Sequence, residues 1–219
     1  NNSGPLYSKS EFEMSKLDID QYDAHSHHLL LQHKDSKEFA ACVRIIESVP
    51  NKINARLPFE QNQNDIWVSG APINDLPKRS FSEMSRLIIS QQYLQKQSVY
   101  LDKAKITLGL CLAAYSLARL LFHDFMFAEL SIAAFKKLRA SGLLFEQATS
   151  EMIGITDNEQ KSTFCISLET GINSSNPVYD LQQHILNEVA HQLNIPLVQV
   201  TDSQNMSGSN NNSDEAWSA

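Results

Sequence analysis

The chain has 219 residues, of which 42% are hydrophobic and 20% charged, a globular balance that excludes collagen-like, coiled-coil and wholly disordered classes. Its 18 Lys and Arg against 25 Asp and Glu leave a net charge of −7, opposite in sign to the basic excess with which dedicated nucleic-acid binders replace phosphate counterions. Cys42, Cys111 and Cys165 are odd in number, widely spaced and outside any CxxC pair, so neither a disulfide framework nor a zinc site is expected, and a reducing cytoplasm fits.

Asn1 to Gly4 carry neither the charged nor the apolar region of an export signal. Residues 24–34 and 38–46 are two short apolar runs around the polar Asp35-Ser36-Lys37, the pattern of a β-hairpin. From Glu47 to Arg79 the chain carries Pro50, Pro58, Pro72 and Pro77 among many Asn and Gln. That composition predicts a long excursion with little regular structure, and such loops are often functional. Residues 85–90 read as a third strand.

Residues 103–123 read as a long helix, apolar on nearly every face and therefore central. Its apolar stretch, 106–122, contains Arg119 and falls short of the roughly 20 residues that span a bilayer. A fourth strand is expected at 124–130 and a helix at 131–140, capped by Ser131 and stopped at Ser141-Gly142. Strands at 143–148 and 162–168 follow. Leu181, Ile185, Leu186, Val189 and Leu193 then recur at helical spacing, which predicts an amphipathic helix over 179–193. The polar residues from 201 onward have no apolar pattern and read as a tail. The order predicts an α/β (α+β) single domain over 1–195, a mostly antiparallel sheet flanked by helices with one strand-helix-strand crossover, followed by a disordered 196–219.

Two clusters combine charge with strand context. Asp20 and Asp23 precede the hairpin, and Arg44 lies among apolar neighbours on its second strand, so its buried guanidinium needs carboxylate partners. Glu83-Met-Ser85-Arg86 enters the third strand, where positions i and i+3 face opposite sides. An ion-pair network and a carboxylate poised as general base both fit these residues. His25, His27 and His28 suggest a metal, but His25 and His27 share a strand face without a third ligand. Cys42 and Cys111 read as core.

Asp-x-x-Asp before a hairpin, Arg before two aliphatics at its end and Glu-x-Ser-Arg opening the next strand resemble the acyl-homoserine-lactone (autoinducer) synthases. They are more similar still to the N-acyl amino acid synthases and the PEP-CTERM/exosortase-associated acyltransferases, which share the GNAT-like fold. Leu57-Pro-Phe-Glu60, the helix at 108–119 and Ala133 to Gly142 extend the resemblance over residues 6–170. It implies a GNAT-like, cytoplasmic, monomeric N-acyltransferase that moves a long-chain acyl group from a phosphopantetheine thioester, on acyl carrier protein or coenzyme A, to the amine of an amino acid.

By that resemblance Glu83 is the base, Ser85 and Arg86 accompany it, and Asp20, Asp23 and Arg44 order the substrate side. Phe125 and Phe127 would line an acyl tunnel or simply pack the core. Lys96, Lys103, Lys105, Lys136, Lys137 and Arg139 would dock an acidic carrier or form a solvated face. No bound cofactor and no metal are implied. The Gln/Arg-x-x-Gly-x-Gly/Ala loop that cradles coenzyme A pyrophosphate is missing after Arg86, which favours acyl carrier protein as donor. No arginine precedes Leu6-Tyr7 at the position of the family's opening Arg-Tyr motif, and that leaves an inactive acyl- or carrier-binding domain as the alternative.

Overall fold

The computed structural model describes residues 19–48, 56–62, 65–68, 70–73, 81–96, 103–149, 153–156, 159–172 and 174–195. Leu6-Tyr7, at the position of the family's opening motif, and the 196–219 tail lie outside these residues. Strands β1 (Ser26–Gln32) and β2 (Phe39–Glu47) form the expected antiparallel hairpin, from Ser26↔Ile46 to Gln32↔Phe39. A turn with Lys37 at φ 58° closes it.

The long excursion is more structured than its composition predicts. It contains α1 (Pro58–Asn62) and a two-residue hairpin of β3 (Trp67–Val68) and β4 (Ala71–Pro72). Leu57, Phe59, Ile66 and Val68 are all buried, so the segment folds back onto the sheet. Pro58 at the first helical position and Glu60, whose Oε2 accepts the Leu57 N–H at 2.6 Å, start α1.

Strand β5 (Phe81–Ile89) begins four residues before the expected start, which puts Glu83 inside it. After α2 (Gln91–Lys96) comes α3 (Lys103–Leu120), then β6 (Phe125–Ser131), parallel to β5. This is the predicted crossover. Helix α4 (Ile132–Ala140) is capped by Ser131, whose Oγ accepts the Ala134 N–H at 3.2 Å. It ends at Gly142, φ +101°, where a Cβ would collide with the Asn176 side chain.

Only β7 (Glu146–Gln147) forms of the strand expected at 143–148, because the N–H groups of Leu143, Leu144 and Phe145 are bonded to the carbonyls of Leu138 in α4, Gly171 and Leu143 instead of to a strand. Two strands end the sheet, β8 (Ile153–Thr156) and β9 (Glu159–Ser167). The first went unpredicted and the second starts three residues early. Helix α5 (Tyr179–Leu193) appears as expected.

The sheet runs β1-β2-β5-β6-β9-β7, with β8 also paired to β9, and every pairing except β5–β6 is antiparallel. Its two faces bury separate apolar clusters. Val43, Ile45, Met84 and Met126 pack under α3, which is itself covered by α5, while Phe164 on β9 stacks on Phe135 of α4 in the same cluster. α3 is therefore buried on most sides, with Cys111, Leu112, Ala114 and Tyr115 at 0% exposure. Ile46, Phe127 and Cys165 on the opposite face pack with Tyr22, Leu57, Phe59, Ile66 and Val68 from the loops. Among the described residues no helix is long and apolar enough to cross a membrane.

Candidate active site

The parallel β5–β6 ladder runs from Phe81↔Phe125 to Met84↔Ala128 and stops there. β6 stays paired to β9 through Ser131↔Lys161, while β5 stays paired to β2 through Ile89↔Ala41. The two central strands therefore part at Met84 and Ala128, and β6 offers no ladder to the Ser85–Ile89 stretch of β5. A β-bulge marks the same place. Arg44 pairs with Ser85 and Cys42 with Ile88, so β5 uses three residue steps where β2 uses two. Arg86 takes up the extra residue in the left-handed region at φ 50°.

That bulge corrects the expectation that Glu83 and Arg86 face opposite sides. Strict alternation would send Arg86 under α3, but the left-handed residue breaks it. Arg86 Nη2 donates to Asp20 Oδ2 at 2.9 Å, on the face that carries Glu83.

Asp20, Asp23, Arg44, Ser85 and Arg86 are brought together. Arg44, 4% exposed, donates from Nη1 to both Asp20 oxygens at 2.8 Å and to Asp23 Oδ1 at 3.0 Å, and from Nε to Ser85 Oγ at 3.0 Å. The Asp20 N–H bonds Asp23 Oδ2 at 2.7 Å and the Tyr22 N–H bonds Asp20 Oδ1 at 2.8 Å. The Asp-x-x-Asp spacing thus folds into a turn that presents both carboxylates to one guanidinium. Burial opposes ionisation of Asp23, but the Asp20 N–H and Arg44 outweigh it and hold its carboxyl below the usual value. Burial likewise opposes charge on Arg44, and its bonds to Asp20 and Asp23 reverse this and raise its pKa.

Glu83 is 3% exposed and stands apart from that network. Its Oε2 accepts the Phe59 N–H at 3.0 Å. Burial pushes its pKa up to about 8, with the Phe59 N–H pulling it down and Glu129 pushing it higher. Around it, Phe59 stacks on Phe127 at 4.2 Å and Phe81 meets the Phe127 edge at 5.6 Å. Phe125 and Phe127 are buried in this cluster. Lys103 and Lys105 are exposed at the start of α3, and Lys136, Lys137 and Arg139 lie on α4, with Arg139 5.9 Å over the Phe135 ring. Lys96 ends α2.

Sequence reasoning missed several contributors. Phe59 and α1 hold Glu83; Leu57-Pro-Phe-Glu60 carries part of the family resemblance, but no role follows from it there, and the Pro58/Glu60 start signal points to the helix without pointing to Glu83. Tyr22, whose Oη accepts from Gln61 Nε2 at 2.5 Å, lies beneath Arg44 with its phenol pKa raised by burial. His25 sits in a 3-10 turn (Asp23–His25) before β1 rather than on the strand. His27 Nε2 is 2.6 Å from Glu47 Oε1, whose Oε2 is 3.4 Å from the buried His123. Among the described residues no group of three His, Cys, Asp or Glu could hold a metal ion.

Residues 5–102 match the model of the acetyltransferase (GNAT) domain, a span that contains Asp20, Asp23, Arg44, Glu83, Ser85 and Arg86. Among solved structures the fold is similar to the acyl-homoserine-lactone synthase LasI, at 18% identity over 75% of this chain and 74% of that one, TM-score 0.52. TofI in its apo form matches at 15% identity over 80% of this chain and 81% of that one, TM-score 0.50. FeeM, an N-acyl amino acid synthase from uncultured soil microbes, matches at 11% identity over 74% and 83%, TM-score 0.47. No curated protein matches the chain. Residues 5–102 are thus similar to an acetyltransferase (GNAT) domain, and the fold as a whole is similar to that of the acyl-homoserine-lactone synthase LasI.

Proposed function

We propose that the chain is an N-acyltransferase with Glu83 as its proton acceptor, moving an acyl group from a phosphopantetheine thioester to the amine of an amino acid or related compound. The observation that carries this reading is Glu83. It is a carboxyl buried among aromatic rings with a pKa of about 8, beside the point where two parallel strands part. A general base works best when its pKa lies near the operating pH.

In this mechanism the gap between β5 and β6 receives the pantetheine arm, whose amides would bond the Ser85–Ile89 edge as a strand does. The same backbone N–H groups offer donors to the oxyanion. The ammonium gives one proton to the Glu83 carboxylate, and the freed nitrogen attacks the thioester carbonyl. The C–N bond forms, the C–S bond breaks, and the departing thiolate takes the second proton from nitrogen. Glu83 then returns its proton to solvent. Asp20, Asp23, Arg44 and Arg86 fix the bulged strand and border the acceptor, while Phe125 and Phe127 face the acyl chain.

A long-chain donor on acyl carrier protein is the preferred form. Lys103, Lys105, Lys136, Lys137 and Arg139 would meet its acidic surface. The reading places a single domain over 1–195, working as a cytoplasmic monomer. Organic extracts of cells expressing the chain, compared by mass spectrometry with the Glu83→Gln variant at matched soluble level, test the base. An N-acylated amine should appear with the unaltered chain and fall by roughly 10²–10⁴-fold in the variant. Equal product from both would remove Glu83 from the chemistry.

A further inference from the structure

Two residues beyond Phe127, at the point where β6 leaves β5, Glu129 lies on the same face as Glu83. Its Oε1 is buried and has no hydrogen-bond partner among the described residues. Thr163 is its direct cross-strand neighbour on β9, is 0% exposed, and its Oγ1 is likewise without a partner among them. Antiparallel partners project to the same side of a sheet. The vertex of the splayed strands therefore holds a carboxylate oxygen and a hydroxyl, both buried and unsatisfied, next to a second carboxyl at Glu83.

Buried polar atoms are rarely left unbonded, because each costs about 1–3 kcal/mol, more when charged. Arg44 and Arg86 are bonded to Asp20, and Arg44 also to Asp23, so these cations are committed elsewhere on the face. Two carboxyls and a hydroxyl in this setting call for a ligand that brings several N–H donors and positive charge. A primary ammonium has that chemistry, with three donors and no acceptor.

We propose that Glu129 and Thr163 seat the ammonium group of the acyl acceptor, holding it against Glu83. The assignment rests on the acyl-transfer reading for the ligand's role, and on Glu129 and Thr163 for its chemistry. It makes the acceptor a cationic primary amine that binds before it is deprotonated. A cation placed beside Glu83 also favours its carboxylate, so arrival of the acceptor prepares the base that will take its proton.

The first arm of the test needs no turnover. Melting temperature is measured in n-butylammonium chloride and in sodium chloride of equal ionic strength, for the unaltered chain and for Glu129→Gln and Thr163→Val. Both substitutions preserve side-chain shape. The ammonium salt should raise the melting temperature of the unaltered chain above its sodium value, with that increment abolished in Glu129→Gln and reduced in Thr163→Val. No increment in the unaltered chain, or an equal one in Glu129→Gln, overturns the proposal.

The second arm follows thiol release from decanoyl-coenzyme A and decanoyl-acyl carrier protein with n-butylamine or with hydroxylamine, which is largely uncharged at neutral pH. Glu129→Gln should raise KM for butylamine by about 10–100-fold, the loss of one charge-assisted hydrogen bond, and weaken the hydroxylamine reaction by a much smaller factor. Equal losses with both nucleophiles would make Glu129 structural and overturn the seat. An ammonium-specific melting shift without thiol release by the unaltered chain would keep the ammonium seat and overturn the acyl-transfer reading.

Discussion

The Arg44 cluster and the Glu83 vertex share one face of one sheet, yet they handle buried charge in opposite ways. In the first, two carboxylates and two guanidiniums close on one another, and Arg44 uses both Nη1 and Nε on described partners. In the second, Glu83 has one backbone donor, and Glu129 and Thr163 each keep an atom that no described residue bonds. A closed network fixes geometry, because each member holds its neighbours in one arrangement. An open one leaves bonds for a ligand and lowers stability. The bulge at Arg86 sets the boundary, drawing its guanidinium to Asp20 and away from the face under α3.

If that division is right, removing charge should destabilise the first region and relieve the second. Asp20→Ala strips Arg44 of two bonds and Arg86 of one, leaving Arg44 with Asp23 as its remaining carboxylate. Breaking a buried ion pair from one side costs about 3–5 kcal/mol. Urea denaturation of the variant should show a loss of that size, and a change below about 1 kcal/mol, the value of an exposed pair, would mean that the cluster is a loose surface pairing.

Glu83→Gln should do the reverse, and only at the right pH. The folded pKa of Glu83, about 8, lies above the ordinary 4.5, so the folded state binds more protons than the unfolded state between these values. The protonated carboxyl's contribution is fully present below about pH 4.5, is lost progressively as pH rises toward 8, and stays lost above it. A carboxyl whose pKa rises tenfold in proton affinity on folding changes stability by about 1.4 kcal/mol, which makes the total for Glu83 a few kcal/mol. Stability of the unaltered chain should therefore fall from about pH 5 to pH 8 by more than that of Glu83→Gln, with the two curves diverging upward in pH. Parallel curves would mean that Glu83 is ionised and well solvated in the folded protein.

The difference between the regions also explains what could be read from the sequence. Arg44 among Cys42, Val43, Ile45 and Ile46 announces a buried cation, and Asp20 and Asp23 are the nearby acids, so the closed cluster follows from local pattern. The hairpin, the crossover through α3 and the Ser131 and Gly142 boundaries of α4 have equally local signals. The open vertex does not. Glu129 and Thr163 are 34 positions apart and meet only through β6–β9 register, and the Phe59 N–H reaches Glu83 across 24 positions. Arg86 lands on the wrong face for simple alternation because a single left-handed residue, invisible in composition, intervenes. β8 hid for a related reason, since Gly154 interrupts a short run whose partner is the adjacent strand.

The smallest test bears on the boundary itself. Ser85 is the last β5 residue in register before the bulge, and its Oγ accepts from Arg44 Nε at 3.0 Å. Ser85→Ala leaves Asp20 and Asp23 on Nη1 but removes the bond that ties the guanidinium to β5. A hydrogen bond to a charged group is worth about 1.5–3 kcal/mol, and the lower end applies because Ser85 is only half-buried and water can substitute. A loss of about 1 to 2 kcal/mol with an unchanged pH profile would place Ser85 in the closed network. A shifted pH profile with little loss of stability would instead couple Ser85 to Glu83, and the bulge would then belong to the vertex rather than divide it from the cluster.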